Sequence, residues 1–123
     1  MPKLSQRELL GLILGCAASG SASFSQALYA TREARPDFDA RALTRELLSD
    51  LSIRGWIELR KSGSVGGDIP VPRIQYELEL AADRNWEEAA GDERARYVLT
   101  EKGRSQVGPL LAGLREARGK DAR

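Results

Sequence analysis

The segment Asp39–Lys61 has the sequence DARALTRELLSDLSIRGWIELRK, and its apolar pattern changes part-way along. Asp39 is a suitable N-cap because its carboxylate can accept from free amides of a first helical turn. Gly55 suits the end of that helix, and beyond it Ile57 and Leu59 alternate with polar residues as in a half-buried strand. The helix itself has apolar residues spaced for one buried face, at Leu43, Leu47, Leu48 and Leu51. We therefore predict a helix over residues 39–54 and a strand directly after it.

The best partner for that strand is RYVLT at Arg96–Thr100, which is followed by EKGR at residues 101–104. The combination resembles the winged helix-turn-helix domains of bacterial regulators, particularly the MarR and PadR types. In those domains a helix of the form L-x-x-L-x-x-x-G-W/L-I leads into the first wing strand, and the second ends in Y-x-L-T-x-x-G-R. The matching residues are Leu47, Leu48, Leu51, Gly55, Trp56, Ile57, Tyr97, Leu99, Thr100, Gly103 and Arg104. The resemblance covers most of residues 5–61 and 95–105, and implies an α+β winged helix that binds DNA.

Two further helices are predicted before the 39–54 helix. The first spans Leu4–Ala18, and Ser5 with Glu8 has the spacing of a capping box. A second capping box, Ser23 with Gln26, predicts a helix that starts at Phe24 and stops before Pro36. The expected core residues of the domain are Leu10, Ile13, Leu14, Phe24, Leu28, Leu43, Leu47, Leu51, Ile57 and Leu99.

The segment between the two wing strands, residues 62–94, departs from the family pattern. Its glycine-rich start predicts a flexible loop over residues 62–68. In Ile74–Leu80 apolar and polar residues alternate, which predicts an additional strand and an enlarged antiparallel wing of about three strands. Residues 81–90 are compatible with a short helix carrying Trp86.

A closing helix is expected after Thr100, with a kink or split at Pro109. Its apolar stripe, formed by Val107, Leu110, Leu111 and Leu114, has two interpretations. It can form a two-fold homodimer interface, or it can pack on Leu9 and Ile13 of its own chain. The expected organisation is one domain over residues 1–118, with a frayed tail at residues 119–123.

Composition argues against several functional classes. The 123-residue chain contains no histidine and one cysteine, Cys16, and has a formal net charge of +1. We therefore expect no enzyme activity, no metal site, no cofactor, no disulfide and no membrane span, and a cytoplasmic location. The acidic residues concentrate within residues 62–100, at Asp68, Glu77, Glu79, Asp83, Glu87, Glu88, Asp92 and Glu93. An acidic segment of this kind is not expected to lie on phosphate.

The first functional hypothesis is a DNA-binding transcription regulator that uses helix 39–54 for recognition. Arg41, Thr44 and Arg45 would face the major groove, where arginine can bond guanine and threonine can meet a thymine methyl. Ser25 and Gln26 would hold a phosphate at the start of the preceding helix. Arg60 and Lys61 would reach the DNA backbone or minor groove. In the simpler interpretation, Arg41 and Arg45 belong to a solvated helix face with nearby acids.

The second hypothesis is a winged helix used as a protein-interaction module, as a subunit, adaptor or inhibitor. The candidate recognition helix has mixed charge, because Glu46 and Asp50 accompany its arginines. The acidic wing, with Tyr76 and Trp86, would suit a basic or apolar protein partner. Phosphate contacts release counterions, so salt-dependent retention on random duplex DNA would separate the two hypotheses.

Overall fold

The computed structural model describes residues 6–37, 39–62, 68–87 and 94–121, which form an α+β fold. Within these ranges there are five α-helices and a four-stranded antiparallel sheet, a combination compatible with a winged-helix-like layout. The elements are α1 (Gln6–Cys16), β1 (Ser21–Ser23), α2 (Phe24–Ala34), α3 (Ala40–Ile53), β2 (Ile57–Ser62), β3 (Asp68–Pro70), α4 (Tyr76–Ala81), β4 (Arg96–Leu99) and α5 (Glu101–Asp121). Short 3-10 turns precede and follow α4, at Arg73–Gln75 and Asp83–Trp86.

The helix boundaries follow the local signals in the sequence. At the start of α2 the Ser23 hydroxyl accepts from the Gln26 amide at 3.1 Å, and the Gln26 side chain accepts from the Ser23 amide at 2.8 Å. The Asp39 carboxylate accepts from the Ala42 amide at 3.2 Å at the start of α3. After α3, Gly55 has a φ of 75°, which glycine adopts without a Cβ penalty. The capping box predicted at Ser5 lies outside the described residues.

The sheet has the strand order β1-β4-β2-β3. The predicted pairing of β2 with β4 is confirmed: the strands are antiparallel, with Ile57 opposite Leu99 and Leu59 opposite Tyr97. β1 was not predicted, because its three residues are too few to show a periodic pattern. The sheet therefore has four strands where about three were expected.

The junction between α3 and β2 is tied to the start of α5. Thr100 donates its side-chain hydroxyl to the Gly55 carbonyl at 2.6 Å and accepts from the Gly103 amide at 3.1 Å. The Thr100 amide also donates to the Trp56 carbonyl at 3.0 Å. A Cβ on Gly103 would lie 2.0 Å from the Trp56 carbonyl oxygen, so only glycine fits there. These contacts give a physical reason for the L-T-x-x-G sequence.

One core joins α1, α2, α3, the sheet and α5, and most of the predicted core residues are buried in it. Leu28 and Leu43 are exceptions, because they are only partly buried at its edge. Tyr97 is fully buried and donates its hydroxyl to the Ile13 carbonyl at 2.7 Å. Because α1 ends at Cys16, that carbonyl belongs to the last helical turn, where partners within the helix are missing.

α5 packs along α1 at two glycines. A Cβ on Gly11 would approach the Leu110 Cβ to 2.9 Å, and one on Gly15 would approach Leu111 to 3.3 Å. Leu110 is buried by this packing, as the intrachain interpretation of the stripe requires. The predicted split at Pro109 is wrong, since α5 is one helix through Asp121 and includes residues 119–121 of the expected tail, whereas the kink stays a prediction. Pro109 and Ser105 are both exposed, so water can hydrate the carbonyl that loses its partner.

The additional strand predicted at Ile74–Leu80 is wrong. Residues 73–81 form a 3-10 turn and then α4, while the additional strand is β3, which pairs with the end of β2. The sequence YELELA of α4 is rich in good helix formers, and Tyr76 and Leu80 are four residues apart on one helical face. Leu80 is buried and Tyr76 is half-buried, whereas Ile74 and Leu78 are exposed. Trp86 lies in a 3-10 turn, and residues 88–90 of the predicted helix around it lie outside the described residues.

Candidate nucleic-acid interface

The inner face of α3 includes polar residues that the helix backbone satisfies. Thr44 is fully buried and donates its hydroxyl to the Ala40 carbonyl at 2.6 Å. Ser52 makes the same kind of bond to the Leu48 carbonyl at 2.9 Å. Predicting that Thr44 faces a DNA groove was therefore wrong. A threonine can face the core when its hydroxyl bonds four residues back along the helix.

The outer face of α3 carries a different set of side chains. Ala42, Arg45 and Glu46 are exposed, and Ser49 is half-buried beside them. Of these four residues, only Arg45 was expected from the sequence to face DNA. The signal for the others was the helical spacing of residues 42, 45, 46 and 49, which share one face. Assigning Leu43 to the buried face obscured that spacing, because Leu43 is only partly buried.

Arg41 lies at the flank of α3 and is held by the segment 68–87, here called the insert. Its guanidinium is 2.6 Å from the Asp83 carboxylate and 5.3 Å from the centroid of the Trp86 ring. Trp86 is buried and packs on Phe24, with ring centroids 5.3 Å apart. Arg41 therefore connects α3 to the insert through both charge and ring contacts.

Arg45, one turn further along α3, also meets an acid of the insert. Its guanidinium is 3.5 Å from the Glu77 carboxylate of α4. The same carboxylate accepts a hydrogen bond from the Ser49 hydroxyl at 3.2 Å. Glu77 thus contacts two of the four side chains on the outer face of α3.

Of the two residues predicted to bind phosphate at the start of α2, only Gln26 is exposed. Ser25 is buried and its hydroxyl is 3.0 Å from that of Ser23, so the expectation that Ser25 holds phosphate was wrong. Ser25 is the second residue of α2 and lies on its buried side with Phe24. Gln26 is exposed, although its side chain caps the Ser23 amide at 2.8 Å.

The two basic residues of β2 have protein partners. Arg60 donates to Glu58 at 3.1 Å and to the Asp68 carbonyl at 3.1 Å. Lys61 donates to the Glu79 carboxylate at 2.9 Å, and that carboxylate is nearly buried. Lys61 therefore has a structural role, since it neutralises an acid removed from water.

Glu79 and Asn85 form the polar centre of the insert. The Asn85 side-chain amide donates to the Glu79 carbonyl at 2.7 Å and to its carboxylate at 3.0 Å, and the Asn85 carbonyl accepts from the Ala95 amide at 2.7 Å. Burial raises the pKa of Glu79, but hydrogen bonds from Lys61 and Asn85 and the charges of Lys61 and Arg84 outweigh it, so the net shift is downward. The ionised form of Glu79 therefore stabilises the fold.

We expect Glu79→Gln to reduce the loss of unfolding free energy that the protein shows as pH becomes acidic. Because the folded pKa of Glu79 is depressed, its contribution is present above the ordinary value of about 4.5 and is lost as pH falls through the folded value. At neutral pH the substitution should cost about 1–2 kcal/mol in unfolding free energy. Urea unfolding as a function of pH measures both effects. The control is Glu87→Gln at an exposed acid of the same insert, and equal pH profiles for the two variants would contradict the assignment.

A second feature is a cavity of about 370 Å³ between α1 and α2, lined by Cys16, Ser25, Gln26, Tyr29 and Ala30. Burial raises the pKa of the Cys16 thiol, although its hydrogen bond with Tyr97 acts in the opposite direction. Within the described ranges, no group of three histidine, cysteine or acidic residues is placed to hold a metal ion. The helices in the same ranges include none long and apolar enough to cross a membrane.

The comparisons with known proteins give no relative. No protein-family model, curated protein or solved structure matches the chain.

Proposed function

We propose that the protein is a DNA-binding transcription regulator of the winged helix-turn-helix type, with α3 as its recognition helix. The observation that carries the proposal is the outer face of α3, which presents Ala42, Arg45, Glu46 and Ser49 together. A rigid helix with polar and small side chains on its outer face has the form that enters a major groove.

Each of these four residues can make a hydrogen bond or an apolar contact with a base edge. Arg45 can bond guanine bidentately, and Glu46 can accept from the amino group of cytosine. Ala42 can contact a thymine methyl, and Ser49 can bond several bases. The proposed set of base-contacting residues therefore differs from the set expected from the sequence. Thr44 is excluded because it is buried, and Arg41 is left out of the set because it lies at the flank of α3, over the buried Trp86 ring and beside Asp83.

The rest of the fold supports this use of α3. α2 precedes it after a short connection, and β2 follows it directly, which is the order of a winged helix-turn-helix. Gln26 is exposed at the start of α2 and is the candidate for a phosphate contact from that helix. We leave a homodimer out of the proposal because Leu110 is already covered by α1.

The experiment is a selection of bound sequences from a random duplex library, followed by affinity measurements on the selected site. We expect Arg45→Ala to weaken binding by roughly 1–3 kcal/mol, the value of a bidentate base contact, and to relax the preference at one base pair. Arg118→Ala, near the end of α5, is the control with the same charge change and should have a small effect. Failure of the wild-type protein to retain any duplex at low salt would contradict the proposal.

A second candidate function, a protein-interaction module, is favoured by exposed apolar residues near the same face. Ile53 at the end of α3, Ile74 before α4 and Leu78 within α4 are largely exposed. Tyr76 and Trp86, which were expected from the sequence to meet such a partner, are instead used inside the fold. The Tyr76 hydroxyl accepts from the Leu59 amide at 3.2 Å, and Trp86 is buried. Loss of partner capture from cell extract in Ile53→Ser and Leu78→Ser, with DNA retention absent, would favour this alternative.

A further inference from the structure

The insert covers one flank of α3 along several turns. Asp83 lies at Arg41, Glu77 lies at Arg45 and Ser49, and Arg73 donates to the Ser52 carbonyl at 3.2 Å. These contacts join residues that are between 21 and 42 positions apart in the chain. Two acids of the insert, Glu77 and Asp83, are therefore directed at the helix that we propose for DNA recognition.

The insert is anchored on its other side by buried groups. The Trp86 indole donates to the Leu80 carbonyl at 2.9 Å, and Asn85 links Glu79 to the Ala95 amide next to β4. Leu80, Asn85 and Trp86 are all buried. The carboxylate of Glu77 is consequently presented by a packed helix and does not depend on a loose loop for its position.

The ion pair between Arg45 and Glu77 is weak because both side chains are exposed to solvent. The side chains are 46% and 67% exposed, and their charged atoms are 3.5 Å apart. Exposed pairs of this type contribute little because water and salt screen them. A DNA phosphate or base edge can therefore replace Glu77 as the partner of Arg45 without disturbing the buried anchor of the insert.

We propose that Glu77 is a built-in competitor for the nucleic acid at α3, an inference that rests on the proposed DNA-binding function. Its carboxylate pairs with Arg45 and accepts from Ser49, two of the polar side chains that DNA would otherwise engage on this face. DNA binding then replaces the contacts of Glu77 with contacts to a phosphate or base. Breaking the contacts of Glu77 lowers the binding free energy by the same amount for every DNA sequence. Only sites that make additional base contacts with α3 regain that free energy. Weak non-specific complexes are therefore suppressed.

A double-mutant cycle on Arg45 and Glu77 tests the proposal, with dissociation constants for a labelled random-sequence duplex at low salt. Glu77→Gln keeps the shape of the side chain and removes its charge, and should lower Kd about two- to fivefold, the scale of one exposed ion pair. Arg45→Ala should raise Kd. In the Arg45→Ala background, Glu77→Gln should lower Kd by less than it does in the wild type and by little more than Glu87→Gln does, because the main group for which Glu77 competes is absent.

Two controls separate competition from other effects. Glu87→Gln removes the same charge from another exposed position of the insert and reports the general effect of net charge on DNA affinity. Thermal unfolding of each variant reports whether the fold is kept. Equal Kd values for the wild type, Glu77→Gln and Glu87→Gln would overturn the competitor role while leaving DNA binding intact. Equal decreases in Kd for Glu77→Gln and Glu87→Gln would also overturn the competitor role. Absence of DNA binding in every variant would overturn the proposed function as well.

Discussion

Replacing Gly103 with alanine is expected to destabilise the protein by at least about 3 kcal/mol, the upper end of the cost of overpacking. The new Cβ would lie 2.0 Å from the carbonyl oxygen of Trp56 and 2.9 Å from its carbonyl carbon. These are backbone atoms in the turn between α3 and β2, so no side-chain rotation can relieve the contact. The start of α5 would have to move away from that turn and lose the bonds of Thr100 to Gly55 and Trp56.

Gly108→Ala provides the matched control in the same helix. A Cβ at Gly108 meets nothing within 4 Å. Alanine has the higher helix propensity, but a Cβ directly before Pro109 is disfavoured in helical geometry, so the two effects oppose each other and stability should change by less than about 1 kcal/mol. Urea unfolding at neutral pH measures both variants, and a large cost is expected only for Gly103→Ala. A cost below about 1 kcal/mol for Gly103→Ala would show that α5 is not fixed against the Trp56 backbone.

Asn85→Ala is the second large effect, expected to cost roughly 3–5 kcal/mol because it leaves several buried groups without partners. The Ala95 amide and the Glu79 carbonyl would each lose a bond of 2.7 Å, and the Glu79 carboxylate would lose one of 3.0 Å. Asn85 is fully buried, so water cannot replace these bonds without entering the core.

The control for Asn85 is Gln75→Ala, an exposed amide of the same insert that should change stability little. Denaturant unfolding gives the global cost, and amide exchange over residues 68–87 shows whether the insert is released first. Global stability within about 1 kcal/mol of wild type would contradict a shared core between the insert and the rest of the domain.

Much of the fold could be predicted because its signals are local. The capping pair Ser23 and Gln26, the N-cap Asp39 and the glycine at position 55 are sufficient to place α2 and α3. Alternation after Gly55 was sufficient for β2. The strand predicted at Ile74–Leu80 failed because its alternation coexists with strong helix formers, and burial of Leu80 together with exposure of Ile74 and Leu78 depends on tertiary packing.

The candidate site was less predictable than the fold. Arg45 was found because a helical arginine near an N-terminus is visible in the sequence. Thr44 can face the core because its hydroxyl donates to the Ala40 carbonyl. The polar character of threonine gives no sign of this orientation. The contact of Glu77 with Arg45 joins residues far apart in the chain, and no local pattern indicates it.

A single titration tests the central claim, which is that the outer face of α3 binds DNA in competition with Glu77. Isotope-labelled wild-type protein is titrated at low salt with a random-sequence duplex, and backbone and arginine side-chain resonances are followed. We predict shifts at Ala42, Arg45, Glu46 and Ser49 with a coupled shift at Glu77, while Leu80 and Asn85 in the buried anchor stay unchanged. Shifts confined to residues outside α3 and the insert, or no shifts at any duplex concentration, would contradict the claim.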